Sequence, residues 1–522
     1  MKHLSFYTST VVLAAIPLTA VFAHPTWIVG QTVRTTSGPV DGHAASVASG
    51  VSEYLGIPYA QPPVGGLRFQ PPVRYKGTRK LNGKDFGLAC YPSNITGYDA
   101  DFPKELVEQY GITDVGLKII ESILNPGLPV GEDCLTLNIW TKPQTGTKRK
   151  AVMVYVHGGS FVSGSSAERV YNGQFFADQE DVVFITINYR LSIFGFPGSP
   201  DLTQNLGLLD QRLALEWVRD NIASFGGDPS RITLVGESAG SASVDHHTFA
   251  WANDPIVSGV ILMSGTARGI APRTPEAGAA SWYNTTSLLG CGDATSITSP
   301  EDLLRCMQAV PAASIIKTLV STLNSPTSSP YSPTIDNQLV FADPSTRRAA
   351  KVAMLVGNTD NEMALMRVLT ANDPGDALVH ELSQVTFVCP AAARAARSAR
   401  EGNPTWRYRW HGVFPNTQLA TRPGPSGAYH YSEVPVVFGN VDQSLVKNTR
   451  AEERVSGFVR GAWAAFARDP VKGLLRYGGE GGWPRYVEHE RTLARIGWEN
   501  RTGLNLEVGN RYDQGCTEEG ST

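Results

Sequence analysis

The pentapeptide Gly236-Glu237-Ser238-Ala239-Gly240 sets a hydroxyl between two glycines, directly after the apolar run Ile232-Thr233-Leu234-Val235. Such a run, free of Pro and charge, reads as a buried strand, and Gly-x-Ser-x-Gly behind it reads as a sharp turn into a helix. A turn that tight lifts the hydroxyl out of the sheet. The serine is then held in a strained backbone conformation, and its neighbours must lack a Cβ for the turn to close. Ser238 is the candidate nucleophile. The bare pattern is expected about 0.3 times by chance in a chain of this size, so its surroundings decide. Gly226-Gly227-Asp228-Pro229 supplies a turn before the strand, and Ala239, Gly240, Ser241 and Ala242 are small enough for a helix to start tightly. A second apolar run, Ala151 to Val156, ends in His157-Gly158-Gly159-Ser160-Phe161. Glycines just after a strand leave backbone N–H groups uncovered, and such donors stabilise a tetrahedral oxyanion. The plainer reading is a tight strand-to-loop turn, with His157 structural.

Two carboxylates follow a third run. Ala353-Met354-Leu355-Val356-Gly357 precedes Asn358-Thr359-Asp360-Asn361-Glu362, and loops after parallel strands converge on the carboxyl edge of the sheet. The residues alone do not rank Asp360 against Glu362. Among ten histidines, His430 is the one whose place completes the order serine, acid, histidine. The alternative, His246-His247 on the helix after Ser238, is weak because adjacent helical residues point in different directions.

These groups need a frame that brings distant segments to one edge. Val182 to Asn188 reads as a buried strand, Asn205 to Phe225 as a helix through Ala214, Leu215, Trp217 and Val218, and Val257 to Ser264 and Trp406 to Trp410 as further strands. Strand, helix, strand, turn, helix is the order of a doubly wound, mostly parallel α/β sheet. Near the amino terminus, Thr32 to Ser37 and Val51 to Leu55 are expected as antiparallel strands joined through Gly38-Pro39-Val40-Asp41-Gly42. The Pro- and Gly-rich stretch from Gly56 to Phe69 is an ordered surface wrap. Between Cys90 and Cys134 lies an amphipathic pattern carrying Val115, Leu117, Ile119, Ile120, Ile123 and Leu124, either a lid or a core-packed surface helix. Ser321 to Ser332 reads as an exposed loop, and no internal repeat is present.

With 522 residues, 42% hydrophobic and 18% charged, the chain can bury a large core and still form one domain. A net charge of −3 with acids and bases mixed throughout gives neither a nucleic-acid footprint nor a polybasic membrane patch. Residues 1–23 have a basic start, an apolar stretch and a small-residue end at Val21-Phe22-Ala23, the pattern of a cleaved secretory signal. No later stretch reaches the length of a spanning helix. Residues 24–522 then form the mature, extracellular domain. Six cysteines allow up to three bridges in that compartment, with Cys291 and Cys306 close enough to bridge a helical insertion. The sequons at Asn94, Asn284 and Asn500 are candidate glycan sites.

Several of these stretches, taken with Gly56-Ile57-Pro58-Tyr59-Ala60, Glu132-Asp133-Cys134-Leu135-Thr136-Leu137-Asn138-Ile139-Trp140, Asn188-Tyr189-Arg190-Leu191 and Gly427-Ala428-Tyr429-His430-Tyr431-Ser432-Glu433-Val434-Pro435, form an ordered set. The set resembles the type-B carboxylesterase and lipase family, the cholinesterase-like α/β-hydrolases, and within it the fungal secreted branch. The resemblance runs from about Thr32 to Trp463. It implies an α/β-hydrolase fold with helical insertions over the pocket, and a serine hydrolase that cleaves neutral carboxylic esters through an acyl-enzyme. It implies Ser238 as nucleophile, His430 as base and Glu362 rather than Asp360 as the acid, with an oxyanion hole at Gly159, Ser160 and Ala239. It also implies the bridges Cys90–Cys134 and Cys291–Cys306, an Arg68–Glu132 pair, and no metal or organic cofactor. Cys389 and Cys516 are left over, to pair or to remain free thiols.

The chain departs from the family in places. No Trp lies between Cys90 and Cys134, where cholinesterases carry the Trp that stacks on choline. Only 68 residues (430 − 362) separate Glu362 from His430, fewer than in such enzymes, and Met363 stands where relatives often have Gly. The expected partner is a small-molecule or lipid ester. An interfacial lipase and a non-catalytic binding relative are the alternatives. A base at His430 predicts hydrolysis that rises with pH through one ionisation around pH 5 to 7, carboxylates nearby pulling that midpoint up and burial pushing it down.

Overall fold

Side-chain alternation along the central strands divides the core in two. A computed structural model of the chain describes Met1 and residues 27–93, 102–124, 126–296, 299–322, 330–369, 375–422 and 424–516. Residues 2–23 of the expected leader, the sequon asparagine Asn94 and most of the loop expected over Ser321 to Ser332 lie outside these. On the strand Lys150–Val156, Val152, Val154 and Val156 enter one hydrophobic cluster, while Met153 and Tyr155 enter another on the opposite face. Every residue of that strand is buried. Period-two alternation with apolar residues on both faces is what a sheet covered by helices on both sides requires.

The main sheet has eleven strands. In chain order they are β1 (His43–Ala44), β2 (Ser52–Pro58), β3 (Thr136–Thr141), β4 (Lys150–Val156), β5 (Val183–Ile187), β6 (Gly227–Glu237), β7 (Gly259–Met263), β8 (Ala353–Thr359), β9 (Thr405–Trp410), β10 (Arg491–Ile496) and β11 (Glu507–Val508). Across the sheet the order is β11-β10-β9-β8-β7-β6-β4-β5-β3-β2-β1. The run from β10 to β5 pairs in parallel, and the two flanks are antiparallel. This is the α/β-hydrolase architecture expected. One expectation fails at the amino terminus. Val33–Thr35 pairs not with Val51 to Leu55 but with Gly38–Asp41, the segment read as a connector, in register Val33 to Val40. Val51 caps a turn, and the strand that follows it, β2, joins the main sheet against β3. Gly38–Asp41 is the middle strand of this three-stranded sheet, and Pro39 is accommodated because the strand on its other side, Leu81–Asn82, pairs only with Val40 and Asp41.

Three helices matter for the site. α1 (Asp114–Leu124) belongs to the insertion between Cys90 and Cys134, α2 (Leu206–Asn221) leads into β6, and α3 (Ala239–Ala250) leaves it. Asp210 of α2 accepts two charge-assisted bonds from the buried Arg190 guanidinium, at 2.8 and 2.7 Å, and one from the Arg190 amide at 3.0 Å. The pair ties the loop after β5 to the helix before the nucleophile strand. On the far face the long helix Arg450–Arg468 lays Val459, Ala462, Trp463 and Phe466 against the sheet.

All three disulfides form: Cys90–Cys134, Cys291–Cys306 and Cys389–Cys516. The third fastens the carboxyl-terminal segment to the helix Cys389–Arg400. Arg68 meets Glu132 through two bonds, at 2.6 and 2.7 Å, as the resemblance implied. Its remaining nitrogen, Nη1, donates to the carbonyls of Met307, Gln308 and Val310 at the carboxyl end of the helix Pro300–Ala309. Among the described residues no single helix is long and apolar enough to cross a membrane.

Candidate active site

Ser238 sits at the end of β6 with φ 55° and ψ −123°, a left-handed backbone unusual for a residue with a side chain. Three close approaches enforce it. A Cβ on Gly236 would stand 2.3 Å from the Gly240 carbonyl oxygen, one on Gly240 would stand 2.1 Å from that of Val156, and one on Gly265 would stand 2.3 Å from that of Ser238 itself. The Ser238 amide donates to Met263 O at 2.9 Å, so the turn is pinned to β7. The residues around it are buried, while Ser238 remains partly accessible. The turn therefore presents one hydroxyl and little else.

The chain after β4 closes over this hydroxyl. Gly159, Ser160 and Phe161 all have positive φ, at 99°, 54° and 63°. Successive residues of this kind turn their amides toward one point, forming an anion-binding concavity. Among the described residues, the amides of Gly159 and Ser160 donate to no protein acceptor. Both line the cavity that holds Ser238 and His430. Ala239 is the first residue of α3, where helix geometry leaves its N–H unpaired within the helix. His157, by contrast, is structural. Its Nδ1 contacts the Gly158 carbonyl at 2.9 Å and its ring stacks on Tyr189, and burial holds its pKa down at about 4.

Opposite Ser238, His430 Nδ1 meets Glu362 Oε2 at 2.6 Å. The other carboxylate oxygen accepts from Ser264 Oγ at 2.7 Å and from the Thr359 amide at 2.6 Å. Glu362 is fully buried. Backbone bonds clamp the two loops together: Asn361 N to Ala428 O at 2.8 Å and His430 N to Glu362 O at 3.2 Å. Asp360 faces elsewhere. Its carboxylate accepts from Arg409 Nε at 2.7 Å and lies 3.4 Å from His411 Nδ1. Burial would raise its pKa, but these two neighbours outweigh burial and lower it. Met363 keeps a negative φ, so no glycine is needed there. His246 and His247 are buried in α3, each held down at about 4 by burial, and His247 Nε2 is spent on the Pro255 carbonyl at 2.9 Å.

Three residues of this constellation carried no sequence signal. Ser264 is one. Glu237, inside the pentapeptide, is the second: its Oε1 lies 3.3 Å from His430 Nε2, whereas among the described residues no hydrogen bond joins that nitrogen to Ser238 Oγ. In unliganded sites the serine–histidine contact is commonly long and tightens with substrate. Burial raises Glu237 to about 7. Burial also acts to lower His430, but Glu237 and Glu362 outweigh it, and the imidazole is pushed up to about 9. The third is Glu168, in the same cavity.

The cavity has two characters. Ile123 and Leu124 at the end of α1, with Leu365, Met366 and Leu369 of the helix Ala364–Leu369, form an apolar side. Glu168, Tyr171, Glu237 and Tyr431 form a polar one. The amphipathic stretch between Cys90 and Cys134 is thus part of the pocket cover. Away from the site, Asn284 is exposed on its helix, whereas Asn500 bonds the Val413 amide and carbonyl at 3.0 and 2.7 Å. Among the described residues no group of three or more His, Cys, Asp or Glu is placed to hold a metal ion.

A sequence model of the carboxylesterase family matches residues 30–376 and 370–513. The chain is 33% identical over 461 residues to the chlorogenic acid esterase of Aspergillus niger, covering 86% of this chain and 84% of that protein. It is 31% identical over 557 residues to secreted lipase 5 of Gibberella zeae, covering 98% and 99%. Against the cholinesterase of Mus musculus it is 31% identical over 498 residues, covering 84% and 78%.

Proposed function

The chain belongs to the carboxylesterase family, carboxylic ester hydrolases on the α/β-hydrolase fold, and from that premise we propose that it is a secreted serine esterase whose residues 24–522 form one catalytic domain working through an acyl-enzyme. The observation that carries this reading is the 2.6 Å contact of His430 with the buried Glu362, in one cavity with a left-handed Ser238 and the unpaired amides of Gly159 and Ser160.

Ser238 Oγ attacks the ester carbonyl carbon while His430 Nε2 takes its proton. Glu362 holds Nδ1–H, fixing the tautomer that leaves Nε2 free to accept. The carbonyl oxygen becomes an oxyanion held by the amides of Gly159, Ser160 and Ala239. As the intermediate collapses, the C–O bond breaks and His430 returns the proton to the departing alcohol. Water then attacks the acyl-Ser238 ester by the same route and releases the acid. Three disulfides and a relative named as secreted support an extracellular location, since such bridges persist in oxidising compartments.

The test is covalent labelling with a fluorophosphonate, read by intact mass. A single adduct is expected, absent in Ser238→Ala, and Ser238→Ala, His430→Ala and Glu362→Gln should each lower ester hydrolysis by roughly 10³-fold or more. Asp360→Asn should leave far more activity than Glu362→Gln. Absence of an adduct on the folded wild type would favour a binding protein instead. The apolar side of the cavity, from Ile123 to Leu369, supports a second reading as an interfacial lipase. Hydrolysis that jumps as a long-chain ester passes its solubility limit would select it.

A further inference from the structure

Glu168 is a carboxyl group in the reaction cavity that the chemistry above does not use. It follows the oxyanion loop, in the turn Ser165–Glu168, and shares the cavity with Ser238 and His430. One oxygen, Oε1, accepts the Ser165 amide at 2.9 Å. Among the described residues no hydrogen bond holds Oε2, and no Lys, Arg or His pairs with the group. Its titratable neighbours are Glu237, Tyr155, Tyr171 and Tyr431, each within electrostatic range. Arg169, next along the chain, is exposed. The side chain is half-buried, so the uncommitted oxygen is open to the cavity and, with no cation beside it, is available to a hydrogen-bonding group of a ligand; partial desolvation raises the carboxyl to about 8.

The direction of the reaction says what that partner is. The carbonyl oxygen must lie against the amides of Gly159, Ser160 and Ala239, and the departing alcohol oxygen must lie beside His430 Nε2, which reprotonates it. That nitrogen abuts Glu237 at 3.3 Å. The alcohol moiety then lies on the Glu237 side, and Glu168 and Tyr171, which line the same cavity within electrostatic range of Glu237, are polar groups it can meet. The apolar side, at Ile123, Leu124 and Leu369, is left to the hydrocarbon.

We infer that Glu168 is a specificity-determining residue that hydrogen-bonds a hydroxyl on the alcohol portion of the ester, so that the favoured substrates are esters of hydroxylated alcohols. The inference rests on the proposed esterase reading. A protonated carboxyl both donates to and accepts from a hydroxyl, and an ester lacking that hydroxyl leaves the group unpaired in the closed site. Specificity of this kind comes from the stranded polar group as much as from the bond made.

The experiment compares kcat/KM for glyceryl monobutyrate and propyl butyrate, which share an acyl chain and differ in the hydroxyls of the alcohol. The wild type should favour the glyceryl ester by about tenfold. In Glu168→Leu and Glu168→Ala that ratio should collapse toward one, while Glu168→Gln, which still accepts from Ser165 and still presents a hydrogen-bonding group, should retain most of it. A structural role alone would lower both esters together and leave the ratio unchanged. A wild-type ratio of one or less, or an unaltered ratio in both the leucine and alanine variants, overturns the inference. If neither ester is hydrolysed by the wild type beyond Ser238→Ala, the esterase reading itself has failed. If both are hydrolysed at equal kcat/KM, that reading stands and only the role of Glu168 falls.

Discussion

At the scale of single residues the site is a histidine between two carboxylates. Glu362 binds one ring nitrogen and Glu237 faces the other, at 2.6 and 3.3 Å. Burial alone would keep the imidazole neutral far into acid, but the paired carboxylates prevail and its pKa lies near 9. A base must be neutral to accept the serine proton, so with His430 in the proposed role kcat/KM should rise with pH and its midpoint should lie above 7, beyond the range around pH 5 to 7 expected from the residues alone. Glu237 and His430 exchange influence strongly enough to titrate as a pair. Glu237→Gln removes one negative neighbour, and the midpoint should then fall by about one pH unit or more. A pH profile measured with a non-ionising ester checks this; a midpoint that stays put in the variant would show that Glu237 does not bear on the imidazole. That Ser238 and His430 come together was legible from local spacing and chain order, and both line one cavity. Glu362 needed the family's register, because Asp360 differs from it only in what it faces, and Arg409 and His411 come from other segments. Glu168 and Ser264 have no local pattern at all; they become part of the site only when distant turns converge.

At the scale of elements, the nucleophile turn is a packing device. Gly240 opens α3 where it crosses the end of β4, and an added Cβ would stand 2.1 Å from Val156 O and 2.7 Å from His157 O. Neither obstacle is a flexible side chain. Gly240→Ala must therefore push α3 away from β4 and the loop after it, moving Ser238 and the amides of Gly159 and Ser160 relative to each other. Overpacking of this kind costs about 1–3 kcal/mol, and a displacement near 1 Å at a reacting centre costs about 100-fold in rate. The variant should be folded, less stable by that amount in a denaturant titration, and slower by about two orders of magnitude. Ala242→Ser, two residues on, is a control for a polar change on the same helix. Wild-type kcat in Gly240→Ala would mean the close approach does not position the site. The parallel strands were legible because each is a short, uniformly apolar run. The small amino-terminal sheet was not: Gly38–Asp41 contains Gly and Pro, turn-formers in isolation, and only its pairing with Val33–Thr35 on one side and Leu81–Asn82 on the other makes it a strand.

At the scale of the whole molecule, buried and half-buried ionisable groups make stability and activity respond to pH in opposite senses. Glu168 and Glu237 are raised from 4.5 to about 8 and about 7, Glu433 is raised well above 4.5, and His430 is raised from 6.5 to about 9. Each holds a proton in the folded state that the unfolded chain has released at the same pH. Wherever the folded state binds more protons, stability falls as pH rises. For the glutamates the fall begins above 4.5, and for His430 above 6.5. His157, His246 and His247 act the other way, since each is neutral when folded and held down at about 4; they weaken the fold as pH drops from 6.5 toward 4. Between pH 4.5 and 6.5 the two groups oppose each other. Above 6.5 the histidines are neutral in both states, and the loss is unopposed. The melting temperature should accordingly be lower at pH 8.5 than at pH 6.5, by a few degrees or about 2–5 °C, across the interval in which hydrolysis is still climbing. Glu168→Gln removes one of the titrating groups without removing its acceptor for Ser165, and should flatten the decline. Calorimetry at fixed ionic strength decides it: a melting temperature that rises from pH 6.5 to 8.5 would mean these carboxyl groups are already ionised in the folded protein.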